Sequence, residues 1–252
     1  MPIRIAVVVE SPVDFRHVTG LIDRKVREHA PDWWDDGQLA AEREYRGLTP
    51  GTEFTCWREL KALARERGIS LHGGALEFDR PQGLHFDYNL GHKAVALCAL
   101  LESRPDVLLL VRDMDQQPKE RRRSLHFVRD KIPAASMKIV LALPRAKREA
   151  WALAGWQPQS TEEEKAFAEV REELAFHPCQ SSEQLDAAEH GATRDAKRVL
   201  GKLTKGSMDR ESKCWLETPW ATLREFGQEN GLAEFLNEVK AVLVPEITGI
   251  RR

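Results

Sequence analysis

The sequence has little of what would mark a secreted, membrane-bound or redox-active protein. Cys56, Cys98, Cys179 and Cys214 are its only cysteines, and they show neither CxxC spacing nor a paired histidine spacing. That excludes a sequence-legible zinc site or redox pair, and the expectation is four structural thiols in a reducing compartment. No apolar run approaches the ~18 residues of a membrane helix. No stretch joins a charged start, an apolar core and a small-residue cleavage site. A cytoplasmic protein without membrane association is therefore expected. Net charge is nearly absent at −2, which argues against a protein that coats nucleic acid indiscriminately. Internal repeats and low-complexity tracts are absent too.

What is present is a core-forming composition, 42% hydrophobic, with charge placed unevenly. Arg112 to Arg148 holds eleven Lys/Arg against four Asp/Glu, whereas Gln159 to Glu189 holds two against nine. A basic zone is thus hidden in the total by an acidic one. The basic zone opens on Asp106 to Gln117, DVLLLVRDMDQQ, in which an unbroken aliphatic run precedes Arg112, Asp113 and Asp115. Such a run reads as a strand buried on both faces, the habit of parallel sheets covered by helices. The acids then sit at the strand's carboxyl end, the edge where open α/β sheets bind ligands. Two neighbouring carboxylates are costly to hold as anions unless a cation joins them. Arg4 to Val9 (RIAVVV) is a second such strand and ends in Glu10.

Asp14 is expected to cap a helix carrying Phe15, Val18, Leu21, Ile22 and Val26 at helical spacing. Residues 30–90 read as a loop-rich insertion, rich in Gly and Pro. Within it the tandem Trp33 and Trp34 are either a base-stacking platform or, as the composition favours, anchors buried under the loop. A helix from Trp57 to Arg67 stopped by Gly68 and a short strand over 69–71 are expected inside it. In LHFDYNLGHK, His85, Asp87 and His92 have no recognised ligand order. Gly91 is expected to let the backbone approach a ligand, with His92 and Lys93 at a helix N-terminus facing phosphate. Pro118 suits the first turn of a helix whose opening is crowded by Lys119, Arg121, Arg122 and Arg123. That run is either a solvated face or a phosphate-backbone contact. Met137 to Leu143 is the next buried strand, followed by Arg145, Lys147, Arg148 and Glu149. Glu149 either faces the carboxyl edge or pairs with Arg145 at i, i+4. From residue 156 onward the periodicity is helical, with capping-box patterns at Thr161/Glu164 and Ser181/Gln184.

A hydrophobic strand ending in Glu10, a short turn, an acid opening a helix, and a later strand ending in Asp113-Met114-Asp115 resemble the Toprim domain. This is the metal-dependent catalytic module of topoisomerases, primases and several nucleases. Leu143 to Gly155 (LPRAKREAWALAG) is similar to a Toprim-like group that includes phage-defence proteins. Ser11 stands where the family has glycine, and the long Glu10 to Asp113 separation requires an insertion. The resemblance covers residues 1–155. It implies an α/β, three-layer, Toprim/Rossmann-like fold with a mainly parallel sheet, to which the helical periodicity adds an accessory region over 156–252. It also implies Mg²⁺ or Mn²⁺ held by Glu10, Asp113 and Asp115; the reading of the third strand end adds Glu149 as a further catalytic carboxylate. Lys93, Arg112, Lys119, Arg121, Arg122, Arg123, Arg145, Lys147 and Arg148 would meet DNA or RNA. The implied activity is phosphodiester hydrolysis, with an ATPase or other protein partner in a defence complex. Tyr45 and Tyr88, the only tyrosines, have no setting that suggests a strand-passage nucleophile. Two alternatives remain: a catalytically silent module that binds nucleic acid or a partner, and a phosphotransfer enzyme with Asp113 as phosphate acceptor.

Overall fold

The structure is a computed structural model describing residues 1–69, 83–115, 117–134 and 136–250. The chain forms two units. The first comprises residues 1–112, 119–142 and 238–252, and the second residues 113–118 and 143–237. The division falls earlier than the expected boundary at 155, and the last residues return to the first unit.

The first unit is α/β. Its elements are β1 (Ile3–Val9), α1 (Pro12–His29), α2 (Asp36–Glu42), β2 (Arg43–Arg46), β3 (Thr55–Cys56), α3 (Leu60–Glu66), α4 (Asp87–Ala99), β4 (Val107–Val111), α5 (Pro118–Lys131) and β5 (Lys138–Ala142). The five strands are all parallel, in the order β2-β1-β4-β5, with β3 pairing β1 beyond β2. The aliphatic runs of β1, β4 and β5 are buried as their sequences predict. Continuous apolar strands of this kind need cover on both faces.

Several local expectations are corrected. Ser11, not Asp14, caps α1: its Oγ accepts the Asp14 N–H at 3.4 Å and donates to the Asp14 carboxylate at 2.9 Å. Pro12 fills the first helical position, where a missing N–H costs nothing. The stretch read as loop contains α2, β2 and β3. β2 (REYR) carries no apolar signal, because it is held through its side chains. Asp23 on α1 accepts from Nε and Nη2 of Arg43 at 2.6 Å and from the Tyr45 hydroxyl at 2.9 Å. Trp33 is 71% exposed rather than buried. The expected strand at 69–71 lies outside the described residues beyond Ile69.

The second unit contains α6 (Arg148–Ala154), α7 (Thr161–Leu174), α8 (Ala196–Thr204), α9 (Met208–Leu216), α10 (Trp220–Phe226) and α11 (Leu232–Glu238), whose last residue belongs to the first unit. Asn230 ties it together. Its carbonyl accepts the Trp151 Nε1–H at 2.9 Å, and its amide donates to Ala150 O at 3.1 Å and Ser182 Oγ at 2.9 Å. Ser160, one residue earlier than expected, caps α7, and the pattern at Ser181 yields only a short 3-10 turn. After α11 the chain re-enters the first unit through a π-helical turn, Val239–Leu243, and α12 (Val244–Thr248). Among the described residues no helix is long and apolar enough to cross a membrane.

Candidate functional site

The sheet of the first unit changes direction once. After β1 the chain builds β2 and β3 on one side and then returns to lay β4 on the other. In parallel sheets that reversal opens a crevice at the carboxyl ends of the two strands involved. Val8 lies beside Leu110 in the register of β1 and β4, so two steps further Glu10 emerges beside Arg112. Their side chains form an ion pair at 3.0 Å.

Arg112 is fixed from three directions. Beside the Glu10 contact, its guanidinium reaches the Asp87 carboxylate at 3.3 and 3.5 Å and lies 5.2 Å from the centre of the Trp57 ring. Trp57 is itself tied to the strand end, donating Nε1–H to the Val111 carbonyl at 2.6 Å. Asp87 opens α4, is fully buried, and also meets Arg121 Nε at 3.4 Å. Its backbone N–H donates to His85 Nδ1 at 3.2 Å. The same nitrogen lies 3.3 Å from the Asp87 carboxylate, and burial, outweighing that carboxylate, holds the His85 pKa below its ordinary value. His85 is further held by its own N–H, which donates to Ser124 Oγ at 2.7 Å.

Two expectations fail here. α4 begins at Asp87, so Gly91, His92 and Lys93 lie within the helix and not at its N-terminus. A Cβ on Gly91 would come within 3.1 Å of Val128, so the glycine serves close packing of α4 on α5 rather than approach to a ligand. Burial lowers the His92 and Lys93 pKa values.

In the second unit, Met114 is 1% exposed while Asp113 and Asp115 on either side are half-buried. The segment is pinned by the Met114 N–H to Pro144 O at 2.9 Å and by the Arg148 N–H, which donates to Asp113 Oδ1 at 3.0 Å. The Asp113 carboxylate thus meets the opening N–H of α6.

The remaining basic residues divide. Arg148 is 5% exposed and its guanidinium is held by Glu211 and, at 3.2 Å, by Glu149. It is an interior ion-pair residue and not the nucleic-acid contact expected. Arg145 precedes α6 and pairs with Glu229 at 3.0 Å, so the intrahelical pair with Glu149 does not form. Lys147 reaches Asp195 at 2.9 Å. On α5, Arg121 points inward while Lys119 and Arg123 are exposed and Arg122 is half-buried.

No family model, no curated protein and no solved structure matches the chain. Sequence reasoning did not single out Glu211, and it did not connect Asp87 or Trp57 with Arg112. The polar spacing of LHFDYNL drew notice to Asp87, but its two arginine partners stand 25 and 34 residues further along the chain.

Proposed function

We propose that the protein is an Mg²⁺- or Mn²⁺-dependent phosphodiesterase of DNA or RNA, a Toprim-like nuclease. The supporting observation is the pair Asp113 and Asp115, half-buried on either side of the buried Met114, in a segment that follows β4 of the parallel sheet and is pinned by the Arg148 N–H. The donor set suits the cation. Among the described residues no group of three or more His, Cys, Asp or Glu forms a metal cage, and Mg²⁺ is commonly held by one or two carboxylates with water and substrate phosphate completing its shell.

In this reading Asp113 and Asp115 hold the metal, and Glu10 is the third carboxylate the resemblance assigns, serving to take or give a proton. When bound, the cation polarises the scissile phosphate and lowers the pKa of a coordinated water. Lys119, Arg122 and Arg123 attract the backbone, while Arg112 meets a phosphate at the sheet's crevice. Glu149, paired with Arg148, orients the opening turn of α6 and through it the N–H that holds Asp113. A second reading, a silent binding module, draws on the Glu10–Arg112 ion pair, which occupies the carboxylate that chemistry would need.

Metal linkage and cleavage separate the two. Mg²⁺ is expected to raise the melting temperature of the wild type, by about 2.7 kcal/mol of stabilisation at a hundredfold excess over Kd, and to support single-turnover cleavage of a labelled oligonucleotide. Asp113→Asn with Asp115→Asn should abolish both responses. A wild type that melts identically with and without Mg²⁺ and cleaves nothing would favour the silent module.

A further inference from the structure

The crevice of the first unit holds two arginines and two carboxylates, and the two acids are not equivalent. Asp87 is fully buried and touches both Arg112 and Arg121. Glu10 stands at the rim, with 35% of its side chain exposed, against 12% for Arg112. Withdrawing Asp87 would strand the buried Arg121 and remove the inner partner of Arg112, which the interior resists. Exchanging Glu10 for another monoanion would leave the buried charge unchanged. Asp87 on one edge of the Arg112 guanidinium and the Trp57 ring beside it set its plane, so the Nη1 that meets the half-exposed Glu10 is held in a fixed orientation. A guanidinium edge matches the paired oxygens of a phosphate as well as those of a carboxylate. The crevice is, moreover, where parallel sheets take ligands.

We propose that Arg112 is a phosphate receptor which Glu10 fills in the free protein, so that arrival of a phosphate group at Arg112 and release of the Glu10 carboxylate are one event. Glu10 then acts as an internal stand-in for the ligand. Its carboxylate becomes available for proton transfer only when a phosphate has taken its place. The exchange itself needs no metal and no cleavage. Only the assignment of the phosphate to a nucleic-acid backbone rests on the function proposed above.

The test is equilibrium binding to the full chain in EDTA, in two arms, one with inorganic phosphate and one with a fluorescein-labelled single-stranded oligonucleotide. Removing the internal competitor with Glu10→Gln is expected to tighten binding by roughly 1.4- to fivefold, the range for displacing a partly exposed ion pair. Arg112→Lys, which keeps the charge beside Asp87 but loses the planar fork, should cancel that gain in the double variant. Tightening in both arms supports the exchange with a backbone phosphate. Tightening for inorganic phosphate alone supports the exchange and overturns the backbone as its source. Unchanged or weaker binding by Glu10→Gln in both arms, or a gain that persists in the double variant, would overturn the proposal. Should the double variant fail to fold, the single Glu10→Gln result still decides. Loss of cleavage in a separate Mg²⁺ assay bears on the nuclease reading alone, because the binding arms contain no metal.

Discussion

Asp195 shows how one buried carboxylate organises a loop. It is fully buried, caps α8 by accepting the Lys197 N–H at 3.2 Å, accepts the Gly191 N–H at 2.9 Å, and meets Lys147 Nζ at 2.9 Å. Burial alone would raise its pKa, but the two backbone N–H donors and the lysine outweigh burial and hold it below the ordinary carboxylate value. The folded pKa therefore lies below the unfolded one of about 3.9. The resulting stabilisation is complete above that unfolded value and is lost as pH falls through the lower folded value. Asp195→Asn should accordingly lower the melting temperature at pH 6 and flatten its fall between pH 5 and pH 2. A variant whose melting temperature tracks the wild type in parallel across that range would show that the carboxylate contributes no acid sensitivity. Contacts at this scale were the least legible in the sequence. Lys147 and Arg148 read as a basic run, yet their partners Asp195 and Glu211 are 48 and 63 residues away. Local charge density reports that cations are present and carries no information on which distant acids claim them.

At the scale of elements, the three apolar strands were readable because burial on both faces forces an uninterrupted aliphatic run. β2 was not, since REYR contains no aliphatic run and its Arg43 and Tyr45 are held by Asp23 instead. Helix α5 falls between these cases. Its position and its proline start were legible, but four basic residues near its opening hid a division that helical geometry imposes. Arg121, Leu125 and Val128, spaced four and three apart, share the inner face, and all three are buried. Lys119, Arg122 and Arg123 are left on other faces. Substituting these three by Gln should leave unfolding in urea within ~0.5 kcal/mol of wild type. It should also reduce the slope of log Kd against log salt for an oligonucleotide, by about 0.7 for each phosphate that is no longer neutralised. Arg121→Gln should do the reverse, lowering stability by about 3–5 kcal/mol because it removes a partner of the buried Asp87. An unaltered salt slope in the triple variant would leave α5 a solvated helix.

For the whole molecule, the informative feature is that the first unit is closed by the last stretch of chain. The π-helical turn and α12 pack on α1, and the turn also meets β5. Glu238 accepts the Leu141 N–H at 3.3 Å and meets Arg129 at 3.3 Å. The sequence read residues 156–252 as one accessory region, since helical periodicity records that a face is apolar and not which partner covers it. Val239, Leu243, Val244 and Ile247 are buried in this segment. At about 1.5–3 kcal/mol for each aliphatic side chain, their loss is comparable to the ~5–15 kcal/mol that holds a typical domain folded. A chain ending at Asn237 should therefore lose the parallel sheet rather than merely a tail. The expected outcome is collapse of the cooperative melt of the first unit in calorimetry and loss of amide protection over β1, β4 and β5 in hydrogen exchange. Full protection of those strands in the truncated chain would show that the sheet needs no closure from the C-terminal segment, and the first unit would then be complete within residues 1–142.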